Sequence, residues 1–157
     1  PDNDVYLTLV LINLGNAYTN LGQYAKAKSL LEQSLRTYEN HYGKEHIETA
    51  RVLKNLGKVY LLEGHMKEAE NLFMRALNIF QKSNHPDIYM VFEGYAQFYL
   101  KRSKDEENEG NFNQSQAFKT KAMDYLKQAL EVAKANFPEE SPHIVRIKSK
   151  LENINEK

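Results

Sequence analysis

The sequence predicts an all-α protein built from repeated antiparallel helix pairs. The first observation is repetition: NLGNAYTNLGQYAKA at residues 13–27 returns as NLGKVYLLEGHMKEA at residues 55–69. Self-similarity at a fixed period is the sequence signature of a repeat architecture. The second observation is helical periodicity, because apolar and small residues recur at i, i+3, i+4 and i+7. In the second copy these positions are Leu53, Leu56, Gly57 and Tyr60.

Each copy divides into two helices at a turn. In the second copy the turn is EGH, where Gly64 interrupts the apolar pattern. A third copy is offset by 39 residues from the second, since Tyr60 is matched by Tyr99. Its second half is displaced by about 14 further residues. We therefore predict helices at residues 4–21, 24–40, 46–63, 66–83, 86–103, 115–136 and 143–155. The last helix either caps the array or begins a fourth repeat.

Small residues recur at matched positions of both helices, which is the third observation. Two helices approach closely only where no bulky side chain separates them, and Gly inside a helix costs about 1 kcal/mol against Ala. The recurrence therefore indicates close helix contacts that offset this cost. The small residues are Gly15, Gly57 and Ala96 on the first helices, with Ala27, Ala69, Ala122, Ser34, Ala76 and Ala129 on the second helices.

The pattern L-G-x-x-Y followed by A-x-x-x-L/F resembles the tetratricopeptide repeat. The spacing of 42 residues is similar to the longer repeats of kinesin light chains. The resemblance implies a right-handed superhelical solenoid of antiparallel helix pairs, in which stacking buries the apolar faces. We predict one domain over residues 1–157, with repeats at about 4–40, 46–83 and 86–136. The opening PDND, without Met, predicts that the chain is a piece of a longer protein.

The resemblance also implies a binding surface, because first helices of such arrays line a concave groove that holds extended peptides. An ordinary solvated helix face is the alternative, and exposed apolar residues within the set favour the groove. The predicted groove residues are Leu9, Asn13, Asn16, Asn20, Arg51, Asn55, Lys58, Leu62, Met90, Gln97 and Lys101. In the third copy Gly94, between Met90 and Gln97, lies on the same face.

Asn13 and Asn55 occupy the same place in consecutive copies. An Asn side chain offers an acceptor and two donors, so a ladder of Asn can pair with a peptide backbone. Arg51 and Lys58, with Lys54, also form a basic stripe. An acidic ligand and a solvated stripe balanced by Glu48 and Glu93 remain alternative interpretations of that stripe.

About 14 extra residues separate the halves of the third copy, at about residues 102–115. This insertion reads KDEENEGNFNQSQ, and its acidic, Gly- and Asn-containing composition predicts a solvated loop. A calcium loop is disfavoured, because Gln116 stands where the bidentate Glu belongs.

Several function classes are excluded or disfavoured. Lys+Arg and Asp+Glu number 21 each, so the basic excess that nucleic acid requires is missing. No apolar run reaches the roughly 20 residues of a membrane span. No catalytic motif, cofactor motif or metal-ligand pattern is present, and His46, His85 and His143 recur at matching helix entries as structural residues. We expect no enzymatic activity, no cofactor and no metal.

The predicted function is non-catalytic binding of a protein or peptide. A regulatory or sensor segment of a larger multidomain protein is one alternative, and a self-association module is another. The absence of Cys fits a reducing compartment, which favours a cytoplasmic location.

Overall fold

The structure, a computed structural model, describes residues 2–155, and side-chain surroundings for residues 4–154. The predicted domain limits at residues 1 and 157 lie outside the described residues. The described part contains seven helices, and the sequence predicts their limits to within three residues at most ends. They are α1 (Asp2–Asn20), α2 (Tyr24–Tyr42), α3 (Ile47–Glu63), α4 (Met66–Lys82), α5 (Ile88–Asn108), α6 (Phe112–Asn136) and α7 (Pro142–Asn155).

The chain forms two compact units, residues 1–85 and 86–157. Unit 1 contains α1 to α4 and unit 2 contains α5 to α7. The prediction of one domain over the whole chain stays a prediction.

In unit 1 each helix packs on the next one in the chain, and α1 also contacts α3. The core lies on both sides of α2, because this helix contributes to the contacts with α1 and with α3. Burying these apolar side chains contributes about 25 cal/mol per Å² of area removed from water. The core residues are Ile12, Ala27, Leu31, Tyr38, Val52, Leu56 and Val59.

The predicted close helix contacts are present in both pairs of unit 1. A Cβ atom built on Gly15 would lie 2.9 Å from Leu31 Cγ, and one built on Gly57 would lie 2.9 Å from the Phe73 ring. Ala27 and Ala69 are fully buried on the partner helices. The repeated small residues are therefore explained by the approach of the two helix backbones within each pair.

Two helix ends follow from local sequence. Gly64 ends α3 with φ of 91°, a left-handed conformation that glycine adopts without strain. His46 begins the same helix, and its Nδ1 accepts a hydrogen bond from the Glu48 amide over 3.2 Å. The side chain thus satisfies one of the amides that a helix start leaves unpaired.

Unit 2 contains a long pair, α5 and α6, with α7 packed on α6. Tyr125 of α6 stacks on two tyrosines of α5, with ring centroids 5.0 Å from Tyr95 and 5.7 Å from Tyr99. Ala96 and Ala122 are buried at the positions that the repeat predicts. The third pair therefore uses the packing scheme of the first two with larger aromatic contacts.

The prediction of a solvated loop within residues 102–115 is wrong. α5 continues to Asn108 and α6 begins at Phe112, so only residues 109–111 connect them. The extra residues lengthen both helices, and the buried Oγ atoms of Ser103 and Ser115 lie 2.8 Å apart between them. Glu106 and Glu107 are good helix formers, so an acidic composition at this point is compatible with a continued helix.

Replacing Ser115 by Ala should destabilise the protein by about 1–2 kcal/mol, because it removes a buried partner of Ser103. The cost for Ser103→Ala should be smaller, since Ser115 Oγ keeps its hydrogen bond to Glu107 Oε1 at 3.0 Å. Thermal melts followed by circular dichroism measure both effects. Ser29→Ala, at an exposed position of α2, is the matched control and should be neutral. Equal melting temperatures for Ser115→Ala and this control would contradict the packed arrangement.

Candidate functional site

The predicted groove residues of unit 1 lie on one side of α1 and α3. Within each helix they recur at spacings of three or four residues, so their side chains share a face. We call this set the first-helix face; its members are Leu9, Asn13, Asn16 and Asn20 of α1, with Arg51, Asn55, Lys58 and Leu62 of α3.

The first-helix face combines exposed apolar side chains with amides. Leu9 is 51% exposed and Leu62 is 43% exposed. Asn13 is exposed and Asn55 is half-buried, and they occupy equivalent positions of two helices that contact each other. The face can therefore offer amide donors and acceptors beside apolar contact area.

The charge of this face is partly balanced inside unit 1. Arg51 donates a hydrogen bond to the Glu48 carboxylate one turn earlier on α3. At the end of α3, Glu63 accepts a hydrogen bond from Lys28 Nζ over 3.0 Å, and this contact raises the pKa of Lys28. Of the two carboxylates predicted to balance the basic stripe, Glu48 does so; Glu93 has other partners.

The remaining predicted groove residues, Met90, Gln97 and Lys101, lie on α5 of unit 2 and are half-buried. Gly94, on the same helix, is buried. Their assignment to a binding site stays a prediction.

Glu93 of α5 forms a buried ion-pair cluster that the sequence did not predict. Its side chain is 8% exposed and is held by two cations of α7. Arg146 Nη2 donates to Oε2 over 2.7 Å, and Lys150 Nζ donates to Oε1 over 2.7 Å. Burial by itself would raise the pKa of Glu93, but the hydrogen bonds and charges of Arg146 and Lys150 outweigh it and lower the pKa. The cluster fixes α7 against α5 with a full set of charge-assisted bonds.

A cleft of about 580 Å³ lies among α5, α6 and α7. Its lining includes Lys104, Lys119 and Lys150 beside the apolar Leu100 and Ile154. Lys119 Nζ lies 2.7 Å from Glu107 Oε1, and Lys150 is held by Glu93. Two of the three lysines are therefore paired, and the cleft is less basic than its composition suggests.

The recurring histidines have structural contacts. The His46 ring stacks on Tyr42 with centroids 4.6 Å apart. His143 Nδ1 lies 3.0 Å from the Tyr89 hydroxyl, and His85 lies against Phe80. Among the residues with described side chains, no three His, Asp or Glu groups are arranged to hold a metal ion. The described helices also include none that is long and apolar enough to cross a membrane.

The family comparison agrees with the geometry of unit 1. Residues 6–82, which span α1 to α4, match the tetratricopeptide repeat family. The chain therefore matches this family over just under half of its length. A curated relative, the mitochondrial tetratricopeptide repeat protein 19 homolog of Drosophila melanogaster, is 34% identical over 85 residues. That match covers 54% of this chain and 22% of the relative.

Solved structures of similar fold are also repeat proteins. The nearly identical TPR-like repeats of a kinesin light chain candidate from Podosopora anserina superpose with a TM-score of 0.59 at 17% identity. The superposition covers 98% of this chain and 87% of that one. BtubC (BKLC) from P. vanneervenii gives a TM-score of 0.54 at 17% identity, covering 96% of this chain and 63% of that one. These likenesses show the fold.

The predicted recognition of tetratricopeptide repeats is confirmed for residues 6–82. The predicted all-α repeat fold is also confirmed, and the solved kinesin light chain-like repeats share that fold. Tetratricopeptide repeats are a general scaffold for protein interaction. Because the curated relative is named as mitochondrial, the cytoplasmic location expected from the sequence stays a prediction.

Proposed function

We propose that the first-helix face of unit 1 binds an extended peptide segment of a partner protein, without catalysis. The observation that carries the proposal is the pair Asn13 and Asn55, which stand at equivalent places on α1 and α3 outside the buried core. Two amides in register can each bond the backbone of an extended peptide, which favours binding that depends little on its sequence.

The neighbouring residues support a ligand of mixed character. Leu9 and Leu62 are exposed apolar residues at the two margins of this face. Burying them under a peptide would remove apolar area from water. Lys58 lies half-buried one turn after Asn55 and supports an acidic side chain in the ligand.

The chain spans about a fifth of the curated relative, so this proposal concerns the repeat segment. Met90, Gln97 and Lys101 of α5 are proposed to contact the same class of ligand within unit 2.

Asn13→Ala and Asn55→Ala should each weaken peptide binding by about 1–3 kcal/mol, roughly five- to a hundredfold, because each leaves a peptide backbone group unpaired. The probe is a single peptide selected on the wild type from a displayed library and then synthesised for isothermal titration. Lys58→Glu should weaken an acidic peptide further, with an effect that shrinks at high salt.

The controls carry the same substitutions on the exposed surface of α4. Asn71→Ala is matched to the Asn variants and Lys67→Glu is matched to Lys58→Glu. All variants must keep the wild-type melting temperature. If the α4 variants weaken binding while Asn13→Ala and Asn55→Ala do not, the peptide occupies another surface and the proposal is wrong.

A further inference from the structure

The cleft of about 580 Å³ among α5, α6 and α7 combines aliphatic side chains with ammonium groups. Leu100 of α5 and Ile154 of α7 are half-buried and supply the aliphatic part of its lining. Lys104 of α5, Lys119 of α6 and Lys150 of α7 supply the ammonium groups. A volume of this size and a lining of apolar contacts with a few polar groups are typical of sites for small molecules.

Two of the three ammonium groups are held in place by the fold itself. Lys119 Nζ lies 2.7 Å from Glu107 Oε1, and the Ser115 hydroxyl donates a hydrogen bond to the same oxygen over 3.0 Å. Lys150 Nζ donates to Glu93 Oε1 over 2.7 Å. The side chains of Lys119 and Lys150 are only 25% and 32% exposed. An ammonium has three donors, so each lysine can keep its carboxylate and also bind an anion in the cleft.

The ion pairs around the cleft leave an excess of positive charge. Glu93 is shared between Lys150 and Arg146, so one of these two cations has no counter-charge of its own. Lys104 is exposed and has no carboxylate partner among the residues with described side chains. The remaining lysine is neutralised by its own carboxylate. Four cations therefore stand against two carboxylates, and the excess of two positive charges favours an anionic ligand.

We propose that this cleft binds a small phosphate monoester that carries an aliphatic chain. A phosphate monoester has close to two negative charges at neutral pH and so matches the excess of the cleft, whereas a carboxylate has one. Lysine ammonium groups bind phosphate as point charges. The aliphatic chain packs against Leu100 and Ile154, which removes apolar area from water. This inference concerns unit 2 and does not depend on the peptide-binding proposal.

Isothermal titration with hexyl phosphate tests the class of ligand. Each part of the molecule has its own control, since inorganic phosphate lacks the chain, hexanol lacks the charge and hexanoate has a single negative charge. We expect hexyl phosphate to bind at least about tenfold more tightly than each of these controls. A phosphoserine peptide should bind no more tightly than inorganic phosphate. The proposal is wrong if hexyl phosphate shows no saturable binding up to about 10 mM, or if hexanoate or the phosphopeptide binds as tightly.

Substitutions test whether the ligand occupies this cleft. Lys104→Gln removes one of the excess charges at an exposed position, so it should weaken hexyl phosphate about three- to tenfold with an unchanged melting temperature. Lys134→Gln, at an exposed position in the last turn of α6, is the matched control and should leave the affinity unchanged. Ile154→Ser should weaken hexyl phosphate more than inorganic phosphate, because it removes aliphatic contact and keeps the charges. An affinity that Lys104→Gln does not change would place the ligand elsewhere and overturn the assignment.

Discussion

The double variant Arg146→Ala, Lys150→Ala should lose about 3 kcal/mol of unfolding free energy at neutral pH, because it leaves the Glu93 carboxylate buried without a cation. This value is at the low end for a buried pair, since Arg146 and Lys150 are themselves 45% and 32% exposed. Denaturant unfolding followed by circular dichroism measures the loss. Lys148, on the same helix as Arg146 and Lys150, pairs with Glu139 just before that helix; Lys148→Ala removes only this exposed pair and should cost less than about 1 kcal/mol.

The pH dependence separates this mechanism from a general loss of packing. In the wild type the pKa of Glu93 is lowered, so its contribution to stability is present above the ordinary carboxyl pKa and is lost as pH falls through the lower folded pKa. In the double variant only burial remains, which raises the pKa of Glu93. The destabilisation caused by the buried Glu93 carboxylate is therefore absent at acid pH, where the carboxyl is protonated, and it grows as pH rises through the carboxyl range. The two stability curves should converge at acid pH, and a constant difference between them would contradict the assigned role of Glu93.

Gly57→Leu should destabilise the protein by about 2–3 kcal/mol, because its side chain would occupy the space of the Phe73 ring. A Cβ atom alone would already lie 2.9 Å from two Phe73 ring carbons, which is closer than real contacts allow. Overpacking of this kind costs about 1–3 kcal/mol or more, and removing Gly from a helix recovers up to about 1 kcal/mol of that cost. The measurement is the unfolding free energy from denaturant titration.

Two further variants identify the cause. Ala25→Leu adds the same bulk at an exposed position of α2 and should change stability by less than about 0.5 kcal/mol. Replacing Phe73 by Ala in the Gly57→Leu background should cost less than Phe73→Ala does in the wild type, since the new leucine fills part of the vacated space. Additive losses would show that Gly57 and Phe73 are not in contact.

The helix pairs could be predicted from the sequence because their signals are local. The stripe through Leu53, Leu56 and Tyr60 has the period of a helix, and Gly64 marks where that period ends. Repetition strengthens each signal, since an error in one copy is corrected by the next. The family and the candidate binding residues Asn13 and Asn55 follow from the same alignment of copies.

The extension of the third pair was missed because the residues that pack there are not apolar. Ser103 and Ser115 are buried, but serine is common on surfaces and gives no hydrophobic period. The Glu93 cluster was missed because its partners are 53 and 57 residues away in the chain. A local pattern assigns a glutamate to a solvated face, and only the approach of α7 removes it from water.

By itself the sequence determined that this protein consists of helix pairs, which residues separate the helices of the first two pairs, and which small residues lie within the pairs. These properties depend on the helical period and on side-chain size, both of which are local. The tertiary structure alone decided which apolar stripes are covered. Leu7, Val10 and Leu14 carry the same pattern as the buried residues of α3, yet they are exposed. The physical reason is that burial depends on contact with a neighbouring helix: among the described residues α2 covers this face of α3, and the spacing of apolar residues is the same whether or not such a contact is made.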